Sequence, residues 1–296
     1  MYLKKGDTIA IVSPARSIES EKVEHAVRFF KKHGLNVVIG KHAYNVNNQM
    51  AGTDTEKAED IQAFIDDPKI RAIIGTRGGY GCVRIIDKLN FTLLAEQKKW
   101  FVGYSDFTVF HSHIVQNYHI PTIHGTMPVS MSENPSSEEK ETNKTLIQAL
   151  MGKNLCYEIA LHELSIAGDA EGILVGGNLS MLYSLCGSDS DLDTKGKILF
   201  IEDLDEYLYH IDRMMMNLKR TGKLNQLAAL VVGGMSDMSD NVIPFGKTAE
   251  EIILEHTENF DYPVYFGFQA GHQKLNVAMR FGMNAEIKDN QLILRA

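Results

Sequence analysis

Cysteine is scarce in this chain, and its spacing excludes more than its number does. Cys82, Cys156 and Cys186 are the only three and lie far apart. They offer neither a zinc-type pair nor a disulfide framework, so a reducing compartment is the default. Long apolar runs are missing too: none approaches the ~18 residues a membrane span needs. The opening Met1-Tyr2-Leu3-Lys4-Lys5-Gly6-Asp7 has no apolar core of signal-peptide length. The expected location is cytoplasmic, with no membrane partner. Clustered basic residues are also lacking, and the net charge is −8 at pH 7. That balance disfavours a nucleic-acid partner, because phosphate binding needs grouped Lys and Arg. Lys31-Lys32-His33 and Lys219-Arg220 fall near expected helix C-termini, where positive charge complements the helix dipole.

What remains is ordinary globular composition, 44% hydrophobic and 23% charged, in 296 residues. That length leaves room for two domains. The first half alternates short apolar runs with amphipathic stretches. Residues 8–12, 35–39, 70–74 and 100–102 read as strands, and residues 19–33, 55–66 and 107–115 as helices. This alternation predicts a doubly wound, mainly parallel α/β sheet over residues 1–152, closed by a helix reaching about Met151. Residues 153–168 read as a linker that contains a short extended stretch at 155–159. Residues 169–296 form a smaller α/β domain with a mixed sheet, with strands expected at 197–201, 228–232 and 292–294. Ligands on such sheets bind beyond the carboxyl ends of the strands.

Several segments place reactive side chains at those ends. Ser105, in Gly103-Tyr104-Ser105-Asp106, sits at a strand-to-helix turn. From this segment alone it reads first as a helix N-cap and also as a candidate nucleophile, two readings that do not exclude each other. The backbone N–H of Asp106 would then be an oxyanion donor. The loop Gly75-Thr76-Arg77-Gly78-Gly79-Tyr80-Gly81 follows a strand, and its glycines allow close backbone approach. It matches neither a dinucleotide fingerprint nor a phosphate loop. Gly79, or its neighbour Gly78, is the second oxyanion candidate. Arg77, Gly78, Tyr80 and His124 are candidates for substrate binding, Arg77 because a guanidinium grips a carboxylate with two parallel bonds.

Glu202 ends a strand in Phe200-Ile201-Glu202-Asp203. The acidic run continues to Asp205 and Glu206, which are expected to open the following helix rather than to hold a metal. His272 lies in a turn, Ala270-Gly271-His272-Gln273. His111 and His113, at i and i+2 of a helix, point too far apart to share a metal. Ser105, Glu202 and His272 follow the Ser…Asp/Glu…His order of α/β-hydrolases, yet Phe107 stands where their Gly-x-Ser-x-Gly elbow needs glycine.

Taken in order, Ile11-Val12-Ser13-Pro14-Ala15, Thr76-Arg77-Gly78-Gly79-Tyr80-Gly81, Gly103-Tyr104-Ser105-Asp106, Gly176-Gly177-Asn178-Leu179-Ser180, Phe200-Ile201-Glu202-Asp203 and Gly271-His272 resemble the LD-carboxypeptidase family of serine peptidases along nearly the whole chain. The resemblance implies a cytoplasmic two-domain homodimer with Ser105 as nucleophile on the first domain and Glu202 and His272 on the second. It also implies release of the terminal D-alanine from a murein tetrapeptide, with no metal and no organic cofactor. A related branch hydrolyses a peptidyl-nucleotide antibiotic. A binding protein that uses the same cleft without catalysis is the reading from another class.

Overall fold

The computed structural model describes residues 1–296. Its N-terminal half builds β1 (Thr8–Val12), α1 (Ser20–Lys32), β2 (Asn36–Ile39), α2 (Asp54–Asp66), β3 (Ile70–Gly75), α3 (Thr92–Gln97), β4 (Trp100–Gly103), α4 (Thr108–Tyr118), β5 (Thr122–His124) and α5 (Ser137–Leu150). The apolar runs of β1, β3 and β4 are buried on both faces, as strands sandwiched between helices must be. Helix α2 starts where it does because Thr53 and Glu56 form a reciprocal capping box.

The second half contributes β6 (Leu155–Glu158), β7 (Ala170–Asn178), α6 (Leu179–Leu185), β8 (Ile198–Leu204), α7 (Leu208–Arg220), β9 (Ala229–Ser236), α8 (Ala249–Thr257), β10 (Val264–Tyr265), β11 (Met279–Phe281), β12 (Asn284–Lys288) and β13 (Gln291–Leu294). Two sheets result, ordered β11-β5-β4-β3-β1-β2 and β10-β9-β8-β7-β12-β13-β6. The first is parallel from β2 to β5. The second joins a parallel part, β7 to β10, to an antiparallel meander of β12, β13 and β6. The fold is therefore two α/β units, one mainly parallel and one mixed, as the strand-helix alternation predicts.

Two chain segments cross the division drawn from sequence. Strand β6, in the stretch read as linker, is the edge strand of the second sheet and pairs with β13. Strand β11 leaves the second half and pairs antiparallel with β5 at the edge of the first sheet, Met279 opposite His124. It is three residues long, and such a short buried strand carries no periodic signal of which sheet it joins. Its Arg280 is wholly buried. The guanidinium donates to the carbonyls of Gln148, Ala149 and Lys153 at the end of α5, where helix carbonyls lack intrahelical partners. One apolar core runs through both units, joining Ile9 and Trp100 to Leu174 and Val231.

Two glycine doublets in the second sheet permit the close approaches on which the site depends. Gly176 adopts φ +135°, and a Cβ there would fall 1.9 Å from the Phe200 carbonyl oxygen on the neighbouring strand. At Gly177 a Cβ would fall 2.4 Å from Thr108 Oγ1 of α4. Substituting Gly176→Ala adds backbone strain to a clash with rigid backbone. It should therefore destabilise the protein by roughly 3 kcal/mol or more, measured by urea denaturation. Wild-type stability in that variant would show that the doublet has no such structural role.

Candidate active site

Ser105 stands just past the carboxyl end of β4, where Tyr104 is still extended. Its backbone turns to φ +65°, a left-handed conformation that is uncommon for a non-glycine residue and concentrates at functional sites. Gly103 and Gly75 make this turn possible: a Cβ at either would fall within 2.8 Å of the Phe107 ring packed beneath it. The Ser105 side chain caps neither the short 3₁₀ turn it opens nor α4, so the N-cap reading does not hold. Gly78 lies directly against it. A Cβ on Gly78 would sit 2.8 Å from Ser105 Cβ and 3.2 Å from the Asp106 nitrogen.

Behind the turn, the buried Asp106 carboxylate accepts the Cys82 backbone N–H at 2.9 Å. This ties the glycine loop to the nucleophile turn. Burial pushes the Asp106 carboxyl upward, opposed by the Cys82 hydrogen bonds and by the charges of Lys57 and Arg16.

Glu202 and His272 meet through the second sheet. In the β8–β9 ladder Ile201 faces Val232 and Asp203 faces Met235, with an irregularity between. Glu202 alone therefore opposes Gly233 and Gly234, a bulge of the kind that re-aims side chains. The loop carrying His272 docks into this bulge: Gly234 N–H donates to the Ala270 carbonyl at 3.0 Å. A Cβ on Gly233 would come 2.4 Å from that same oxygen. Gly271, at φ +99°, lets the loop close over Glu202, since a Cβ there would lie 2.6 Å from Glu202 Oε2.

The result is a fully buried Glu202 whose Oε2 accepts both the His272 backbone N–H at 3.1 Å and His272 Nδ1 at 2.6 Å. Because a carboxylate only accepts, Nδ1 carries the proton and Nε2 is free in the neutral ring. Burial opposes the charged imidazolium. The Glu202 hydrogen bond, with the charges of Glu202 and Asp203, outweighs that effect and holds His272 above the usual imidazole range.

Ser105 and His272 line one cleft of about 510 Å³ between the two units. No hydrogen bond joins them. Such contacts are often open in a ligand-free enzyme and tighten with substrate. Arg77, Gly78, Gly79 and Asp106 share the cleft wall with Ser105.

Other sequence-based expectations are corrected. His124 does not border the cleft: it is completely buried beneath Tyr104. Burial and then the His111 ring push it down to about 3, and its Nε2 shares the Asn276 side-chain oxygen with the Gly271 N–H. Tyr80 is 41% exposed and lies outside the cleft lining. Asp205 and Glu206 do not open the helix, which begins at Leu208. Asp205 instead turns through φ +55°, and both residues join the cleft wall, Asp205 exposed and Glu206 bonded to His210 Nδ1. Sequence reading missed Arg16, also in the cleft, and Asn178, whose amide donates to Asp203 at 2.8 Å. Arg16 was discoverable, because it follows a parallel strand's carboxyl end.

The model of the LD-carboxypeptidase N-terminal domain matches residues 9–125, and that of the C-terminal domain matches residues 171–287. The chain is 34% identical over 289 residues to the "probable murein peptide carboxypeptidase" of Bacillus subtilis (strain 168), spanning 96% of this chain and 89% of that protein. The crystal structure of muramoyltetrapeptide carboxypeptidase from Oxalobacter formigenes superposes with a TM-score of 0.87 at 27% identity, over 98% of this chain and 99% of that one. The microcin C7 self-immunity protein MccF in complex with aspartyl sulfamoyl adenosine has a TM-score of 0.88, covering 100% of this chain and 97% of that one. At 23% identity the latter likeness is one of fold. With both halves matched in order and one relative above 30% identity along nearly its whole length, this chain belongs to the LD-carboxypeptidase family.

Proposed function

We propose that the protein is a serine-type LD-carboxypeptidase that removes the terminal D-alanine from murein tetrapeptides during cytoplasmic peptidoglycan recycling. The observation that carries this reading is the Glu202–His272 pair, held at 2.6 Å in the same cleft as a serine in a left-handed turn. In the proposed mechanism His272 Nε2 takes the Ser105 proton and Ser105 Oγ attacks the L,D amide carbonyl. Glu202 keeps the imidazole in the required tautomer and stabilises its charged form. The backbone N–H groups of Asp106 and Gly79 receive the oxyanion, a donor of this kind being worth roughly 3–4 kcal/mol. His272 next protonates the leaving amine, and water resolves the acyl-enzyme. A homodimer, as the family resemblance implies, is part of the proposal.

The murein substrate is preferred over a peptidyl-nucleotide because the carboxypeptidase relatives are the ones whose similarity extends beyond fold. The test is incubation with murein tetrapeptide, an acyl nucleotide and a simple ester, with mass detection of tripeptide and D-alanine. Tetrapeptide cleavage is expected. Cleavage of the nucleotide alone would replace the substrate assignment.

Ser105→Ala should lower tetrapeptide turnover by about 10³-fold or more with the melting temperature retained. Turnover equal to wild type would remove Ser105 from the nucleophile role.

The pH profile follows from His272. As a base it works unprotonated, and its pKa lies above the usual range, so kcat/KM should rise with pH through a value above about 6.5. In Glu202→Gln the carboxylate's charge is lost while an amide oxygen and the burial persist. The acid limb should then move to lower pH as turnover falls. An unmoved limb in that variant would show that another group sets it.

A further inference from the structure

The cleft is electrically divided. Its two cations, Arg16 and Arg77, sit on the Ser105 side, beyond the carboxyl ends of the adjacent strands β1 and β3. The facing wall presents Asp205, with Glu206 beside it bonded to His210 Nδ1 and Asp203 buried behind it at the end of β8. In a chain where Asp and Glu outnumber Lys and Arg by 38 to 30, a cleft arginine would readily find a carboxylate. Neither does. Arg77 spends one N–H on the Ser17 carbonyl at 3.2 Å, which leaves most of its fork free. Arg16 makes no hydrogen bond or ion pair, yet its stem is not loose. It runs across Gly79, where a Cβ would come within 2.6–2.8 Å of Arg16 Cδ, Cγ and Nε. Gly79 thus admits Arg16 over the glycine loop, and the Arg16 charge is felt at the Asp106 carboxyl next to the nucleophile.

The chemistry of an exopeptidase substrate matches this placement. Three bonds separate the scissile carbonyl carbon from the terminal carboxylate carbon, a span of roughly 3–4 Å. Whatever binds the free carboxylate must therefore lie beside the oxyanion loop. The acidic wall opposite would repel it. Building on the carboxypeptidase assignment, we infer that Arg16, seconded by Arg77, is the receptor for the substrate's terminal carboxylate and thereby the residue that restricts cleavage to the chain end. An internal peptide, or a substrate with an amidated end, would leave two guanidiniums without an anion and lose the charge-assisted bonds.

The test reads binding separately from turnover. In the Ser105→Ala background, calorimetric titration should show the free-acid tetrapeptide binding at least tenfold more tightly than its C-terminal amide. Adding Arg16→Gln should shrink that ratio to about twofold or less, and Arg16→Lys should restore part of it, because the charge returns without the fork. An acid-to-amide ratio unchanged by Arg16→Gln overturns the inference. Hydrolysis of the free acid by the wild-type enzyme is scored in parallel. Its absence would count against the carboxypeptidase assignment alone, since the carboxylate preference is read in a variant that performs no chemistry.

Discussion

The site depends on one short pairing, that of β11 with β5. The nucleophile turn belongs to the first sheet and the Glu202–His272 pair to the second, so their relation is only as fixed as the joint between the sheets. Six residues after the His272 loop the chain enters the first sheet as β11, with Met279 opposite His124. Arg280 of the same strand is locked onto the carbonyl end of α5. The segment carrying the base is thereby pinned to the unit carrying the nucleophile. A second tie runs the other way. Thr108, at the start of the nucleophile helix, accepts the Asn178 N–H at 3.0 Å, and Asn178 in turn holds Asp203 beside Glu202. A buried N–H left without that acceptor would cost about 1–3 kcal/mol, so the link opposes sliding of one sheet on the other.

Buried histidine supports the same joint. His124 cannot act as an acid or base when burial holds it near 3, yet its neutral ring has a structural use. Nε2 donates to the Asn276 oxygen that also accepts the Gly271 N–H. The end of β5 therefore helps shape the turn in which His272 is presented. Tyr104 lies between the two rings, its centroid 5.8 Å from His124 and 5.0 Å from His272. A residue that sequence suggested for substrate contact proves to sit one layer beneath it.

Much of this was legible beforehand, for identifiable reasons. Parallel strands of a doubly wound sheet are continuous apolar runs, so β1, β3 and β4 announced themselves, and with them the strand-end positions of Ser105 and Arg77. Glu202 reads as ending another such run, but β8 continues to Leu204 and Glu202 lies inside it, at the bulge. What could not be read was anything decided by three-dimensional proximity: that β11 changes sheets, that the extended stretch at 155–159 joins the second sheet as its edge strand, that His124 faces inward. Asp205 and Glu206 misled because carboxylates before an amphipathic stretch look like helix-opening residues. The left-handed turn at Asp205 moves the helix start to Leu208 instead. The glycine doublets were visible but mute, since a doublet does not reveal which backbone approaches it.

The β8–β9 bulge shows why those doublets matter for charge as well as shape. Successive residues of a regular strand point to opposite faces, and here the two successive residues are both acidic and both buried. Two buried carboxylates so close cannot both hold a full charge cheaply. They differ in their partners. Glu202 receives a ring N–H and a backbone N–H from His272. Asp203 is bonded by the Asn178 amide and the Ser180 and Leu204 N–H groups, yet burial, then the charge of Glu202, pushes it up to about 7. Three N–H donors thus occupy Asp203, while Glu202 Oε2 is the oxygen that His272 engages. The Gly233-Gly234 bulge makes that division of partners possible by giving Glu202 the loop as its sole partner, so the backbone geometry of β9 helps decide which of two adjacent acids orients the base.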